Sequence, residues 1–295
     1  MRRLIVNGDD FGYTRGVNAG IVRAYRHGIL TSTTLMATGE AFEDAVRLAL
    51  ENPGMGVGAH LVLVGGKAVT PPEKIPSLAD PTGRLPGTPA ALVARLALGR
   101  MKQADLEAEI AAQIGRIRAA GIRPTHVDTH KHTHFYPGVM KAVARMASEF
   151  GIDAVRKPYE NLRTLLGRGG AKSGRARGQF PRSLAAATAG IGHGRFRRLA
   201  AARGLRTPDY FCGIRWTGSL SPAALLRILE RLPEGTTEMM CHPGLHDDDL
   251  ERARTRLKRE RQQELEALTA PEVVRAASER GILLISYREL AAIHE

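Results

Sequence analysis

The most constraining feature of this sequence is the alternation of short apolar segments with segments that have helical spacing. A first apolar run, at 4–6, is followed by a helical pattern at 18–28 and then by a β-branched segment at 29–35. A second helical pattern at 42–50 leads to the next strand-like run at 57–63. Strands that alternate with helices in this way indicate an α/β fold with a mainly parallel sheet, either open or closed as a barrel.

Side chains suited to catalysis or metal binding stand at or directly after the predicted strands. These residues are Asp9, Asp10, His60, the histidines of 126–134, Arg156 and His242. In parallel α/β sheets, functional groups collect at the carboxyl ends of the strands. The sequence therefore predicts that one site forms at this edge of the sheet.

One short run, THVDTHKHTH at 125–134, is rich in groups that bind metals. Every second residue is an imidazole or a carboxylate, namely His126, Asp128, His130, His132 and His134. An extended strand would point all five side chains to one face of the sheet. Such a cluster would be costly in an apolar core, which favours a bound divalent cation. The alternative is a histidine-rich surface strand without an ion.

Geometry limits how many residues of this run can share one ion. Along a straight strand, His126 and His134 would be about 26 Å apart, whereas bonds from a zinc ion to nitrogen are about 2.0–2.1 Å long. At most two neighbouring members of the run can therefore bind the same ion. The remaining ligands must come from other parts of the chain.

Composition restricts the class of protein. The 295 residues are enough for one large α/β domain or two small ones, and the hydrophobic fraction of 43% is that of a globular protein. There is no apolar run of about 18 residues and no signal-peptide core near the N-terminus, so we expect a soluble cytoplasmic protein. Cys212 and Cys241 are too few and too far apart for a disulfide framework, and we expect buried thiols.

Two long segments depart from the strand and helix alternation. Residues 65–89 are rich in Pro and Gly and lack periodicity, which is typical of a functional loop. Residues 160–207 form a basic insertion, and the span 156–206 has thirteen Lys or Arg and one acidic residue, nearly the whole net charge of +13. The mixture of Ala, Leu and Arg at 184–205 suits an amphipathic element on an anionic membrane face, or else a solvated insertion. Nucleic acid is a weaker interpretation because no binding motif accompanies the charge.

Four motifs together resemble those of the YdjC-like carbohydrate deacetylases. They are NGDDFG at 7–12, GAHL at 58–61, THVDTHKHTH at 125–134 and MCHPG at 240–244. The family pattern is NADDFG, GLHL, THxDSHxHxH and CHP, so Gly8 and Ala59 are departures that leave the candidate ligands in place. The resemblance runs over nearly the full chain. It implies a distorted (β/α) barrel related to the polysaccharide deacetylases, with residues 1–295 forming a single deacetylase domain.

The resemblance also implies the parts of an active site. Asp10, His60 and His130 would hold one divalent metal ion. Asp9 would be the general base, and His242 would be a second acid or base facing it. This ligand set fits Zn²⁺ by softness and also admits Mg²⁺, Mn²⁺, Fe²⁺ or Co²⁺. An open metal site activates water and polarises a carbonyl, which amide hydrolysis requires.

Other residues are candidates for supporting roles, and several site residues have structural alternatives. The candidates for orienting a ligand or contacting the substrate are Asp128, His134, Arg156 and Trp216. Asp9 could instead cap its turn, His60 could be a hydrogen-bonded core histidine, and His242 could begin an exposed loop. Arg156 could pair with Asp9 or lie on the surface.

We therefore expect a metal-dependent hydrolase that removes the N-acetyl group from an acetylated amino sugar. The segments 65–89 and 156–160 and the stretch around Trp216 resemble a hopanoid-biosynthesis subgroup, which implies an N-acetylglucosaminyl hopanoid lipid as substrate. A chito-oligosaccharide deacetylase is the nearest alternative enzyme, and a non-catalytic, metal-dependent sugar-binding protein is the alternative of another class. Phosphoester cleavage with two ions would need more carboxylates than the sequence supplies. Two further possibilities are peripheral contact with the anionic inner face of a membrane and formation of a homodimer.

Overall fold

The computed structural model describes residues 1–160 and 191–292. Within them, seven parallel strands form one sheet: β1 (Arg2–Phe11), β2 (Ser32–Leu35), β3 (Gly56–Leu61), β4 (Val127–Thr129), β5 (Tyr210–Cys212), β6 (Gly235–Cys241) and β7 (Leu283–Leu284). The strand order is β4-β3-β2-β1-β6-β5, and β7 also pairs with β1. β2 borders β1 only from Asn7 onward, so β7 fits beside Arg3 and Leu4.

Helices connect and cover the strands. In the described part of the chain they are α1 (Arg15–His27), α2 (Phe42–Leu50), α3 (Pro89–Ala97), α4 (Gln103–Ala119), α5 (Pro137–Glu149), α6 (Ile191–Ala201), α7 (Pro222–Glu230), α8 (Asp248–Arg252), α9 (Arg259–Thr269), α10 (Pro271–Glu279) and α11 (Tyr287–Ala292). Thr14, Thr88 and Ser221 each cap a helix by accepting a hydrogen bond from the amide three residues later. None of these helices is both long and apolar enough to cross a membrane.

β1 is the central strand, and its two faces serve different purposes. Leu4 and Val6 are fully buried in the main hydrophobic core. Ile5 belongs to a second, smaller apolar cluster that also contains Tyr287. Because side chains along a strand alternate, Asn7 lies on the same face as Ile5. This face is apolar at the start of β1 and becomes polar towards its carboxyl end, where the candidate site forms.

The predicted α/β fold with a mainly parallel sheet is confirmed. The sheet is parallel in every described strand pair, and it curls into a half-barrel. Parallel bridges from Val127 to Val155 and from Ala154 to Arg206 extend it beyond β4. The amphipathic element expected at 184–205 falls partly outside the described residues, and its described part contains α6.

The expectation of an extended strand over 125–134 is wrong. β4 has only three residues, and a 3-10 turn, His130–Phe135, follows it immediately. Lys131 and His132 have left-handed φ angles of +56° and +52°. Left-handed residues end the alternation of a strand, so the five ligand-type side chains do not share one face.

Candidate functional site

The candidate site begins where β1 ends in two adjacent aspartates. In a regular strand Asp9 and Asp10 would point to opposite faces. The register between β1 and β2 shifts between Gly8 and Phe11, and Asp10 has a left-handed φ of +70°. An irregularity of this kind re-aims a side chain next to a site. As a result, both carboxylates approach the same histidine, His60.

Three donor atoms from distant parts of the chain form a compact triangle. Asp10 Oδ1 lies 3.4 Å from His60 Nε2 and 3.2 Å from His130 Nδ1, and the two nitrogens are 3.3 Å apart. Ligands at about 2.1 Å from a tetrahedrally coordinated ion are about 3.4 Å from one another. Asp10 Oδ1 is buried and makes no hydrogen bond within the described residues. The three residues therefore fit one divalent ion, and His130, which is 25% exposed, connects this centre to solvent.

Asp128 orients the first of these histidines. Its Oδ1 lies 2.7 Å from His60 Nδ1, and Thr34 Oγ1 lies 3.2 Å from the same nitrogen. A carboxylate on Nδ1 leaves Nε2 as the nitrogen directed at the triangle. Burial lowers the pKa of His60, but the charges of Asp128, Asp10 and Asp9 outweigh burial and raise it to about 10. The surroundings of His60 thus favour positive charge, as those of a metal ligand should.

Arg156 joins Asp9 to the rest of the site. Its guanidinium donates two hydrogen bonds to Asp9, from Nη1 to Oδ2 and from Nη2 to Oδ1, each 2.7 Å long. It also contacts Asp128, and its Nε donates to Glu238 Oε1 at 2.8 Å. Burial raises the pKa of Asp9, but the Arg156 charge outweighs burial and holds that pKa below its usual value, so the carboxylate is ionised. Arg156 has no exposed surface, so the alternative of a surface arginine is wrong.

A second group of ligand-type residues overlaps the first. Donor atoms of Asp9, His60 and Asp128 also lie close together. The guanidinium of Arg156 contacts both of these carboxylates and already supplies a positive charge there. A cation in this second position would have to displace a buried arginine, so the described residues favour one ion and not the pair used in two-metal phosphoester cleavage.

His242 follows β6 and lies within electrostatic range of both aspartates. Its backbone amide donates to Glu264 Oε2 at 2.6 Å. Burial lowers the pKa of the ring to about 4 in spite of the neighbouring charges of Asp9 and Asp10, so the imidazole is neutral near pH 7. Its Nδ1 is buried and has no hydrogen-bond partner within the described residues. A neutral ring with a free nitrogen is able to take up a proton.

Two buried side chains of helix α9 escaped the sequence analysis. Arg261 donates from Nη2 to Asp10 Oδ2 at 2.6 Å, and Glu264 accepts from the His242 amide and from the Gly218 amide. Neither side chain is more than 2% exposed. Both belong to the charged run RERQQELE at 259–266, and charged side chains are usually solvated. Their spacing of three residues places them on one helix face, which is the signal that could have found them.

The remaining histidines of the 125–134 run lie in separate surroundings. The ring of His134 is buried, and its Nε2 lies 3.1 Å from the Arg156 carbonyl oxygen. His126 is stacked on Tyr287 with 3.6 Å between the ring centroids. Burial lowers the pKa of His126 and of His132 to about 3, and that of His134 to about 4. These three rings are neutral packing or hydrogen-bonding groups and do not join the triangle.

Trp216 is also separate from the triangle. It ends the short 3-10 turn Ile214–Trp216 and is partly buried against the main hydrophobic core. No contact among the described residues joins its ring to the ligand-type side chains. A role in binding substrate stays a prediction.

The fold and the site define an α/β half-barrel protein with a candidate three-ligand metal centre at the carboxyl ends of its strands. Among such proteins, the chain belongs to the YdjC-like family, whose profile matches residues 3–279. The family predicted from the four motifs is thereby confirmed.

Curated relatives and a solved structure agree with this family. Carbohydrate deacetylases from Geobacillus stearothermophilus and Brevibacillus brevis are 34% and 35% identical to this chain over 289 residues. The alignments cover 98% of this chain and 98% and 99% of the relatives. A crystal structure from Enterococcus faecalis, provisionally described as a cellobiose-phosphate cleavage protein, is 28% identical and has a TM-score of 0.77 over 98% of both chains.

Proposed function

We propose that this protein is a metal-dependent deacetylase that removes the N-acetyl group from an acetylated amino sugar. The observation that carries the proposal is the triangle formed by Asp10, His60 and His130 beside the ionised Asp9 carboxylate. The names of the two deacetylase relatives, which align over nearly the whole chain, support a carbohydrate substrate.

The proposed chemistry divides between an ion and the residues around it. A divalent ion held by Asp10, His60 and His130 would polarise a carbonyl oxygen and lower the pKa of a water molecule. The donor set fits Zn²⁺ and also Mg²⁺. Asp9 is ionised and takes the proton of the attacking water. Arg156 binds both oxygens of Asp9, so the orientation of this base is fixed before substrate arrives.

Proton transfer to the leaving group completes the reaction. Hydrolysis adds the hydroxyl of water to the acetyl carbon, breaks the carbon–nitrogen bond, and delivers a proton to the amine nitrogen. His242 is neutral at rest, so it takes up the proton that Asp9 removed from the water and passes it to that nitrogen, which returns Asp9 to its ionised form. The hydrogen bond from its amide to Glu264 holds the residue at the end of β6 while its ring exchanges the proton. The products are acetate and a free amino sugar.

We propose a lipid-linked N-acetylglucosamine of the hopanoid type as the substrate, on the sequence resemblance of 65–89 and 156–160. One structural observation supports a role for the first of these segments. A side chain built on Gly65 would lie 3.2 Å from Lys131 Nζ, so this segment borders the turn that carries His130. This contact supports a position of the segment on the side of the candidate centre where His130 lies.

The test measures acetate release from N-acetylglucosaminyl lipid and from chito-oligosaccharides with one metal-loaded preparation. We expect turnover of at least one substrate, with Asp9→Asn abolishing turnover and leaving metal binding intact. Faster turnover of the lipid supports the hopanoid assignment, and faster turnover of the oligosaccharides favours the alternative enzyme. A non-catalytic sugar-binding protein would bind both compounds equally well before and after the Asp9 substitution, with no acetate released.

We further propose that the basic face of α6 contacts anionic lipid. Arg195, Arg197 and Arg198 are exposed, whereas Phe196 is buried against Tyr159. Because the apolar side of the helix packs into the protein, contact with a membrane would be electrostatic and would weaken with salt. We expect sedimentation with vesicles that contain anionic lipid but not with neutral vesicles. Equal sedimentation of a variant with the three arginines changed to Gln would contradict a role for α6.

A further inference from the structure

We propose that Arg261 is a positioning residue that holds Asp10 as a one-oxygen ligand, an inference that rests on the proposed metal centre. Asp10 offers its two oxygens to different partners. Oδ2 accepts from Arg261 Nη2 at 2.6 Å, while Oδ1 faces His60 and His130 and makes no hydrogen bond within the described residues. The arginine therefore occupies one oxygen and leaves the other for an ion.

Asp10 needs an outside restraint because its local backbone is unusual. Its left-handed φ of +70° and the shift in the β1–β2 register give it a conformation that is uncommon outside glycine, although Asp adopts it more often than most residues do. A carboxylate can also rotate and bind an ion through both oxygens. A fixed hydrogen bond to Oδ2 opposes rotation of the carboxylate and keeps Oδ2 from binding the ion. Groups that support a metal ligand in this way commonly set the affinity of the site for the metal.

The packing of Arg261 suits a fixed support. The side chain is 2% exposed, and its guanidinium lies 5.8 Å from the Tyr13 ring centroid. Its backbone carbonyl accepts from the Gly244 amide at 3.1 Å, two residues after His242. A side chain built on Gly244 would lie 3.3 Å from Arg261 Cβ and Cδ, so little room exists for movement there.

Stability alone does not account for this arginine. Its Nε and Nη1 are buried and have no hydrogen-bond partner within the described residues. Unsatisfied buried donors are unfavourable, and a buried ion pair often contributes less to stability than apolar residues of the same size. Within the described residues, the guanidinium makes its hydrogen bond to Asp10, the carboxylate of the candidate metal centre. This favours a role at the metal centre.

The test titrates Zn²⁺ alone into metal-free, full-length protein by calorimetry. We expect Arg261→Met to lower the Zn²⁺ affinity by about 10- to 100-fold. The control is Arg259→Met, the same change at an exposed position of the same helix, which should bind as the unsubstituted protein does. We also expect excess Zn²⁺ to restore turnover in Arg261→Met but not in Asp9→Asn, a difference that a purely structural defect would not produce.

Two further variants keep the outcome decisive. If Arg261→Met does not fold, Arg261→Gln, which keeps an N–H donor in a neutral side chain, must show the loss of affinity. A folded Arg261 variant that binds Zn²⁺ as tightly as the unsubstituted protein overturns the inference. Asp10→Asn distinguishes failure of the proposed metal centre from failure of the proposed role of Arg261. If it binds Zn²⁺ normally, the proposed centre itself fails; if only Asp10→Asn loses Zn²⁺, the centre stands and the role of Arg261 fails.

Discussion

Arg156 pairs with three carboxylates in a buried part of the site. Asp9, Asp128 and Glu238 all contact its guanidinium. Buried charges are tolerated only when they are paired and hydrogen-bonded. Glu238 completes the arrangement on the far side, where its second oxygen accepts from Tyr287 Oη at 2.5 Å. The orientation of the proposed base thus depends on Arg156, which is itself held by Glu238 and, through Glu238, by Tyr287.

We predict that Tyr287→Phe lowers the free energy of unfolding by about 1–3 kcal/mol, because Glu238 Oε2 is left buried without a donor. The ring is kept, so its stacking on His126 should persist. Urea unfolding measures the change. Tyr210→Phe is the control, because the Tyr210 hydroxyl makes no hydrogen bond with any described residue. Equal losses in the two variants would show that Glu238 does not depend on the Tyr287 hydroxyl.

At the scale of elements, the 125–134 run shows what a sequence pattern can and cannot determine. Its residue types correctly indicated that some of its side chains belong to the candidate site, since His130 lies beside Asp10 and Asp128 contacts His60. Ligand-type residues at every second position suggested that all five side chains share one face. The turn that follows β4 ends the extended backbone, so they do not. Only tertiary contacts select left-handed angles at Lys131, a residue type with no preference for them.

Helix α9 illustrates the opposite limit. The charged run at 259–266 lies within α9, yet the pattern does not reveal which charges are buried. Arg261 and Glu264 turn inward because they meet Asp10 and the amide of His242, residues that are far away in the sequence. Such pairings depend on the assembled half-barrel, so one sequence without its fold could not indicate them.

The buried histidines of the run predict a pH effect on stability. Burial lowers the pKa of His126 to about 3, whereas an unfolded histidine titrates near about 6.5. The contribution of neutral His126 to the free energy of unfolding is complete above the pKa of the unfolded chain. It declines as pH falls, because the unfolded chain binds the proton first. The free energy of unfolding should fall by up to about 1.4 kcal/mol per pH unit from this residue alone.

His126→Gln should make this pH dependence shallower by the same amount. Urea unfolding of metal-free protein at several values between about pH 7 and pH 5 compares the two slopes. The measured quantity is the slope of the free energy of unfolding against pH. The substitution also changes packing against Tyr287, but that change alters the free energy equally at every pH and leaves the slope unchanged. Parallel curves would mean that His126 takes up its proton in the folded protein as readily as in the unfolded one.

For the whole molecule, the position of the candidate centre follows from the parallel topology. Asp10, His60 and His130 come from the ends of β1, β3 and β4, which a parallel sheet brings to the same edge. This convergence was predictable from the order of elements and the four motifs. The distances within the triangle were not predictable, because they depend on the bulge at Asp10 and on the turn at Lys131.

The triangle therefore links the ends of three strands, and an ion bound there should stabilise the entire fold. A ligand that binds only the folded state stabilises it by about 2.7 kcal/mol at a free concentration one hundred times its Kd. Thermal unfolding with Zn²⁺ or Mg²⁺ should show a Tm higher by several degrees, and chelation should reverse the gain.

Asp10→Asn should remove most of this increase, because the amide lacks the charge that the ion requires. An equal increase in Asp10→Asn would place the stabilising ion elsewhere, such as on the partly exposed His246 with Glu251. The comparison therefore tests the position of the ion and not merely its presence, and it does so without any assumption about the substrate.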